Sequence, residues 1–155
     1  MMTLHSHRVI HCDLKPGNIL LFSQDHRYIN DFGLSTFFDP NHSNSQSQSG
    51  CGPIAYIAPE VQLSNHYGSK ADAYSICILM YEVVTGEQAY SKGFSSKEFS
   101  FALSEGIIHG KRPVFQCPVK SCLRVLIEQC WSPNPRERPT FREPFYKLII
   151  TRNLR

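Results

Sequence analysis

The sequence predicts an α+β domain, mainly helical, with a few short strands gathered at one edge. Three observations predict it. Near the start, Val9-Ile10-His11-Cys12 and Asn18-Ile19-Leu20-Leu21-Phe22 are short apolar runs divided by the polar, Pro- and Gly-containing Asp13-Leu14-Lys15-Pro16-Gly17. That pattern suggests two short strands joined by a loop holding charged side chains. Further on, residues 71–84 are apolar nearly all round, as in a helix buried on most sides. Toward the end, Leu123, Leu126, Ile127 and Cys130 fall on one helical stripe, which places a helix over Val119 to Trp131.

The remaining elements follow in chain order. Residues 40–52, Pro40 to Gly52, are short polar residues and glycine with too little apolar surface to pack, and read as a mobile loop. Gly86 is placed to end the buried helix. Ser95 with Glu98 has capping-box spacing ahead of Phe99 and Phe101, and Thr140 with Glu143 repeats it ahead of Phe145, Leu148 and Ile149.

A chain of 155 residues with 41% apolar content fits one domain with a packed core. The net charge of +3 is modest and the basic residues are scattered, so no nucleic-acid partner is expected. The longest apolar stretch, Ile76 to Met80 with its Tyr and Val neighbours, is too short to span a bilayer, and no membrane partner is expected. The N-terminus lacks the charged-then-apolar order of a signal peptide. Six cysteines sit at irregular intervals without a C-x-x-C pair, so neither zinc nor a disulfide framework is expected. Cys77 and Cys130 lie in apolar segments and read as buried thiols. A reducing, cytoplasmic setting is the expectation.

Three motifs occur in one order: His11-Cys12-Asp13-Leu14-Lys15-Pro16-Gly17-Asn18, Asp31-Phe32-Gly33 and Ala58-Pro59-Glu60. An Asp-aromatic-Gly run alone usually marks a turn, and a histidine beside an apolar strand is more often packed than catalytic. The run from Asp13 to Asn18 carries more information, because it fixes an acid, a cation and an amide at set offsets. With Asp31 following, the chain resembles the protein kinase catalytic loop, magnesium-binding loop and end of the activation segment. The resemblance implies a protein-kinase-like fold, represented by its mainly helical C-terminal lobe, with the N-terminal β lobe absent. Residues 1–155 would then form a partial kinase domain, with catalytic loop 11–18, activation segment 31–60 and helical subdomain 61–155. Met1 to Ser6 looks like the last turns of the helix that precedes the catalytic loop.

The resemblance also implies roles. Phosphoryl transfer needs positioning and charge neutralisation more than covalent chemistry. Asp13 would take or orient the proton of the acceptor hydroxyl, and Lys15 would offset charge on the transferring group. Asn18 and Asp31 supply the hard oxygens that Mg2+ prefers, so that Lys15, Asn18, Leu20 and Asp31 would hold ATP, with Leu20 beneath the adenine. His11 would be structural. Asp72 opens the buried helix where kinases brace the catalytic loop from below, although a first-turn acid favoured by the helix dipole would look the same. The segment from Cys130-Trp131 to Arg138-Pro139-Thr140-Phe141 resembles the kinase pattern in which an arginine pairs with Glu60; a solvated surface arginine is the plain alternative. Lys15-Pro16 is of the serine/threonine type, whereas the tryptophan segment is of the tyrosine-kinase style. The combination points to the tyrosine-kinase-like group of serine/threonine kinases.

The sequence departs from the family in places. It holds no Gly-rich phosphate loop and no strand lysine ahead of the catalytic loop. Cys12 stands for the arginine that usually receives an activation-loop phosphate, and Pro53 for a threonine that usually contacts Asp13 and Lys15. Without an upper lobe, the 71–84 helix is expected to lack apolar partners, and the isolated chain is expected to be inactive. Two functions therefore stand: transfer of the ATP γ-phosphoryl group to a Ser/Thr hydroxyl of a protein, or an inactive truncated fragment serving as a docking or scaffold module. A partner or an upstream segment would supply the missing lobe in the first case.

Overall fold

The computed structural model describes residues 1–23, 26–38, 52–64, 67–91 and 99–141. The chain opens with helix α1 (Met2–Ser6) and strand β1 (Val9–Ile10), then a 3-10 turn at Pro16–Asn18 and strands β2 (Ile19–Leu21), β3 (Arg27–Ile29) and β4 (Thr36–Phe37). A 3-10 turn at Ile54–Tyr56 leads into helices α2 (Pro59–Ser64), α3 (Ser69–Thr85), α4 (Phe99–Ile108) and α5 (Ser121–Cys130), and a last turn covers Pro135–Glu137. The mainly helical α+β architecture is therefore present. The capping pair Ser95/Glu98, Glu143 of the pair Thr140/Glu143, the apolar residues Phe145, Leu148 and Ile149, and the loop over residues 40–51 lie outside the described residues.

Both apolar runs flanking the polar loop are strands, but each pairs with a later partner. β1 lies antiparallel to β4, with Val9 opposite Phe37 and Ile10 opposite Thr36. β2 lies antiparallel to β3, with Ile19 opposite Ile29, Leu20 opposite Tyr28 and Leu21 opposite Arg27. The polar loop is thereby clamped at both ends by ladders that return from downstream sequence.

α3 is the centre of the molecule. Ala71, Tyr74, Cys77, Ile78 and Tyr81 join one core cluster with Leu126, Ile127, Cys130 and Trp131 from the α5 region and with Leu103 and Ile107 of α4. Full burial of side chains the size of Ile78 or Leu103 is worth roughly 1.5–3 kcal/mol each. The helix stops at Gly86, whose φ of 69° is left-handed and whose N–H bonds the Glu82 carbonyl, a conformation that costs a glycine little. No helix among the described residues is long and apolar enough to cross a membrane.

One expectation is corrected here. The 71–84 helix does not lack apolar partners, because β1, α4, α5 and the Ile54–Tyr56 turn supply them from within the chain. Uncovered apolar side chains include Leu21, 73% exposed, and Phe22, 82% exposed, on the β2–β3 hairpin, as well as Val83 on α3 and Phe101 on α4.

Candidate active site

The loop after β1 is held in an unfavourable backbone conformation. Cys12 has φ 67°, a left-handed value costly for a residue with a side chain. Asp72, in the first turn of α3 and 1% exposed, holds it there. Its Oδ2 accepts the His11 N–H at 3.0 Å and its Oδ1 accepts the Cys12 N–H at 3.1 Å. His5 Nε2 lies 2.8 Å from the same Oδ2, and the His5 ring meets Phe141 edge-on at 5.0 Å. Asp72 is thus a brace under the loop and not an ordinary first-turn acid.

His11 is buried and structural. Its Nδ1 accepts the Asp13 N–H at 3.3 Å, and its Nε2 lies 3.1 Å from the Asn30 carbonyl. These contacts fit the tautomer with the proton on Nε2. Phe32 packs against its ring at 5.0 Å. His11 thereby ties the 11–18 loop to the 30–33 segment.

Three of the expected site residues meet at one oxygen. Lys15 Nζ lies 2.6 Å from Asp13 Oδ2, and Asn18 Nδ2 donates to that same oxygen at 3.0 Å and to the Asp13 carbonyl at 2.8 Å. Asp13 and Asn18 are buried. The Pro16–Asn18 turn produces this approach: proline is tolerated at its first position, and the turn folds Asn18 back over Asp13. On the other side, Gly52 has φ 84° and a Cβ there would collide with Asp13 Oδ1. Only glycine satisfies both the backbone and the approach. Pro53 follows in extended conformation and begins the Ile54–Tyr56 turn, bringing no hydroxyl toward Asp13.

Asp31 and Leu20 stand apart. Asp31 is exposed, has φ 63°, and its Oδ1 accepts the N–H of Gly33 at 3.3 Å. Among the described residues it shares no hydrogen bond with Asp13, Lys15 or Asn18, although the Asn30 N–H bonds the Asn18 carbonyl at 2.9 Å and keeps the two segments adjacent. Leu20 lies half-exposed on β2. The donor set suits Mg2+: Asn18 spends its amide hydrogens on Asp13, leaving its oxygen as an acceptor, and Asp31 offers an open carboxylate. One or two protein oxygens of this hardness are what magnesium takes when phosphates complete its shell. A cavity of about 350 Å³ opens beside Lys15, between Pro16-Gly17 and Pro53–Tyr56.

Glu60, at the start of α2, is anchored by a buried arginine. Arg138 NH1 and NH2 reach Glu60 Oε1 and Oε2 at 2.7 Å each, the bidentate geometry that favours arginine. Arg138 also donates to the carbonyls of Ser132 at 2.8 Å and Lys70 at 2.9 Å, and its guanidinium lies over Tyr74 at 5.3 Å. It is fully buried, not a surface arginine.

A second anchor has no counterpart in the motifs. Tyr56 donates to Glu82 Oε2 at 2.8 Å, and the Ala89 N–H donates to Glu82 Oε1 at 2.8 Å. Burial, reinforced by the Glu82 bond and charge, pushes the Tyr56 hydroxyl far above its ordinary value. The available signal was Glu82 itself, an acid inside an apolar helix that must find a partner. His5 gave no such signal.

Residues 1–147 match the protein kinase domain family. A "Serine/threonine-protein kinase 12" of Arabidopsis thaliana is 38% identical over 145 residues, 90% of this chain and 30% of the relative. A "Dual specificity protein kinase shkB" of Dictyostelium discoideum is 33% identical over 151 residues, 97% of this chain and 22% of the relative. A "Mitogen-activated protein kinase kinase kinase 12" of Rattus norvegicus is 34% identical over 150 residues, 97% of this chain and 16% of the relative. This chain belongs to the protein kinase family, and these relatives agree with the tyrosine-kinase-like group that its motifs indicate. It spans less than a third of the length of these relatives. The family uses ATP and Mg2+.

Proposed function

We propose that the chain carries the lower half of a serine/threonine kinase active site, which moves the ATP γ-phosphoryl group to a Ser/Thr hydroxyl of a protein. The observation that carries the reading is the meeting of Lys15 and Asn18 on Asp13 Oδ2, in a loop braced by Asp72. Asp13 would orient the acceptor hydroxyl and receive its proton as the hydroxyl oxygen bonds to the γ-phosphorus and the bond to the bridging oxygen breaks, releasing ADP. Lys15 turns from Asp13 toward the transferring group and offsets its charge. Asn18 and Asp31 hold magnesium, and Leu20 contacts the adenine. When bound, Mg2+ and ATP supply the phosphoryl group and neutralise its developing charge. The cavity beside Lys15 supports a protein chain as the substrate.

Lys15-Pro16 and the name of the Arabidopsis relative, a serine/threonine-protein kinase, support serine or threonine as acceptor. The exposed apolar face of β2–β3 supports a covering lobe, from an upstream segment or a partner, over the nucleotide. The test is phosphate incorporation from ATP into a protein substrate by the full-length protein, followed by phosphoamino-acid analysis. Phosphoserine or phosphothreonine that disappears in Asp13→Asn supports the reading, and phosphotyrosine alone overturns the acceptor assignment.

A second reading, a docking or scaffold module without catalysis, draws on Pro53, which brings no hydroxyl to Asp13. Thermal denaturation with Mg-ATP separates the two, since a ligand with affinity for the folded site raises its stability. A clear rise in Tm counts against the scaffold; no rise together with no incorporation favours it.

A further inference from the structure

The cavity beside Lys15 is walled by the Ile54–Tyr56 turn, with Pro53 ahead of it, and by α4, which contributes Ser100 and Leu103. Tyr56 fixes the turn to α3, with its hydroxyl on Glu82 and its carbonyl accepting the Ser75 hydroxyl at 2.7 Å. A tie from the turn to α4 runs through Gln62, a residue of α2. Gln62 Nε2 donates to the Ile57 carbonyl at 2.7 Å and lies 3.4 Å from the Ile54 carbonyl. Its Oε1 accepts the Ser104 hydroxyl at 2.6 Å.

The partners fix which way the amide points. Both carbonyls can only accept, so the nitrogen faces them and the oxygen is left to Ser104. No apolar side chain makes these bonds, and a carboxylate would set its oxygen against two carbonyl oxygens. The bond to Ser104 also has leverage on the cavity. Ser100 lies about one helical turn before Ser104 and Leu103 directly before it, so a displacement of Ser104 carries both lining residues with it. At the other end of the tie, Ile54 is itself a lining residue, whereas Gln62 is not. Among the described residues, Gln62 and Ser104 share no hydrogen bond with Asp13, Lys15, Asn18 or Asp31.

We propose that Gln62 is a positioning residue for the protein substrate. By clipping the Ile54–Tyr56 turn to Ser104 of α4, it holds the two walls at the spacing that receives the chain flanking the acceptor hydroxyl. It acts through the walls and not on the reacting atoms, so its effect falls on protein-substrate binding and spares the nucleotide. The inference rests on the reading of this cavity as the place of a protein substrate.

The test uses the full-length protein, Mg-ATP and a degenerate peptide pool with one central serine or threonine, and measures the apparent KM for the pool and for Mg-ATP. Ser104→Ala and Gln62→Leu are each expected to raise the KM for the pool about threefold to tenfold, the net worth of one hydrogen bond, and to leave the KM for Mg-ATP unchanged. Ser104→Thr, which keeps the hydroxyl, should restore the native value. The double variant should match Gln62→Leu alone, because Ser104→Ala then has no bond left to remove. A fall in kcat and Tm with the KM for the pool unchanged marks a merely structural bond and overturns the proposal. A KM for Mg-ATP that rises as much as that for the pool, or Ser104→Thr behaving as Ser104→Ala, overturns it equally. Native protein that transfers no phosphate to the pool overturns the kinase reading itself, and the proposal with it.

Discussion

The 11–18 loop and the 31–33 loop carry the polar residues of the site, and they are held very differently. The first is strained at Cys12 and fixed by Asp72, His11 and the returning amide of Asn18. Its acid and amide are buried. The second has an exposed Asp31 whose carboxylate, among the described residues, bonds only the N–H of Gly33, and a half-exposed Phe32 leaning on His11. The contrast teaches that the loop proposed to handle the proton is organised by buried contacts within the chain, whereas the loop proposed to hold the metal presents an exposed carboxylate. Preorganisation is worth most where charge develops during the reaction.

Substitutions that separate the two loops sharpen this comparison. Asp72→Ala has the largest expected effect. It strands the buried N–H of His11 and the part-buried N–H of Cys12, at about 1–3 kcal/mol each, so urea denaturation should show a loss of about 4 kcal/mol; a loss below about 1 kcal/mol would mean the loop holds itself. Glu60→Ala comes next. It leaves Arg138 buried without its carboxylate, and because Glu60 keeps 23% side-chain exposure the cost falls at the low end of the range for breaking buried pairs, about 3 kcal/mol. Glu60→Gln, which keeps the acceptor oxygen, should recover part of it.

At Cys12 the left-handed backbone sets the outcome. Cys12→Val should be less stable than Cys12→Gly by about 1–2 kcal/mol, and equal melting of the two variants would show that the residue is not held at positive φ. Asp31→Ala has the smallest effect on stability, about 1 kcal/mol or less, because alanine tolerates the φ of 63° less readily and loses the bond to Gly33. It should nonetheless abolish any Tm rise with Mg-ATP; a large loss of stability would contradict the open character of the 31–33 loop.

Much of this was readable in the sequence where spacing alone decides the outcome. Arg138 met Glu60 across seventy-eight residues as the motif resemblance implied, whereas the meeting of Lys15 and Asn18 on one oxygen of Asp13 was not foreseen from their offsets. The 71–84 segment became a helix over Ser69–Thr85, extended at each end because Gly68 is extended and Gly86 left-handed. The helix expected from Val119 starts at Ser121, since Lys120 has extended ψ. What periodicity does not carry is the choice of distant partners. The pairing of β1 with β4, the seating of His5 on Asp72 and the bond from Tyr56 to Glu82 each join residues far apart in the chain. The rotation of Asp31 onto Gly33 is a local side-chain choice that residue type does not fix.

The most direct measurement is the rate of γ-phosphate transfer from ATP by the full-length protein, comparing the native chain with Asp13→Asn at matched thermal stability. The account predicts transfer to serine or threonine that falls by roughly 10²–10⁴-fold in the variant, the usual contribution of a positioned general base. Equal transfer by both proteins, or none by either in the presence of Mg-ATP, would contradict it.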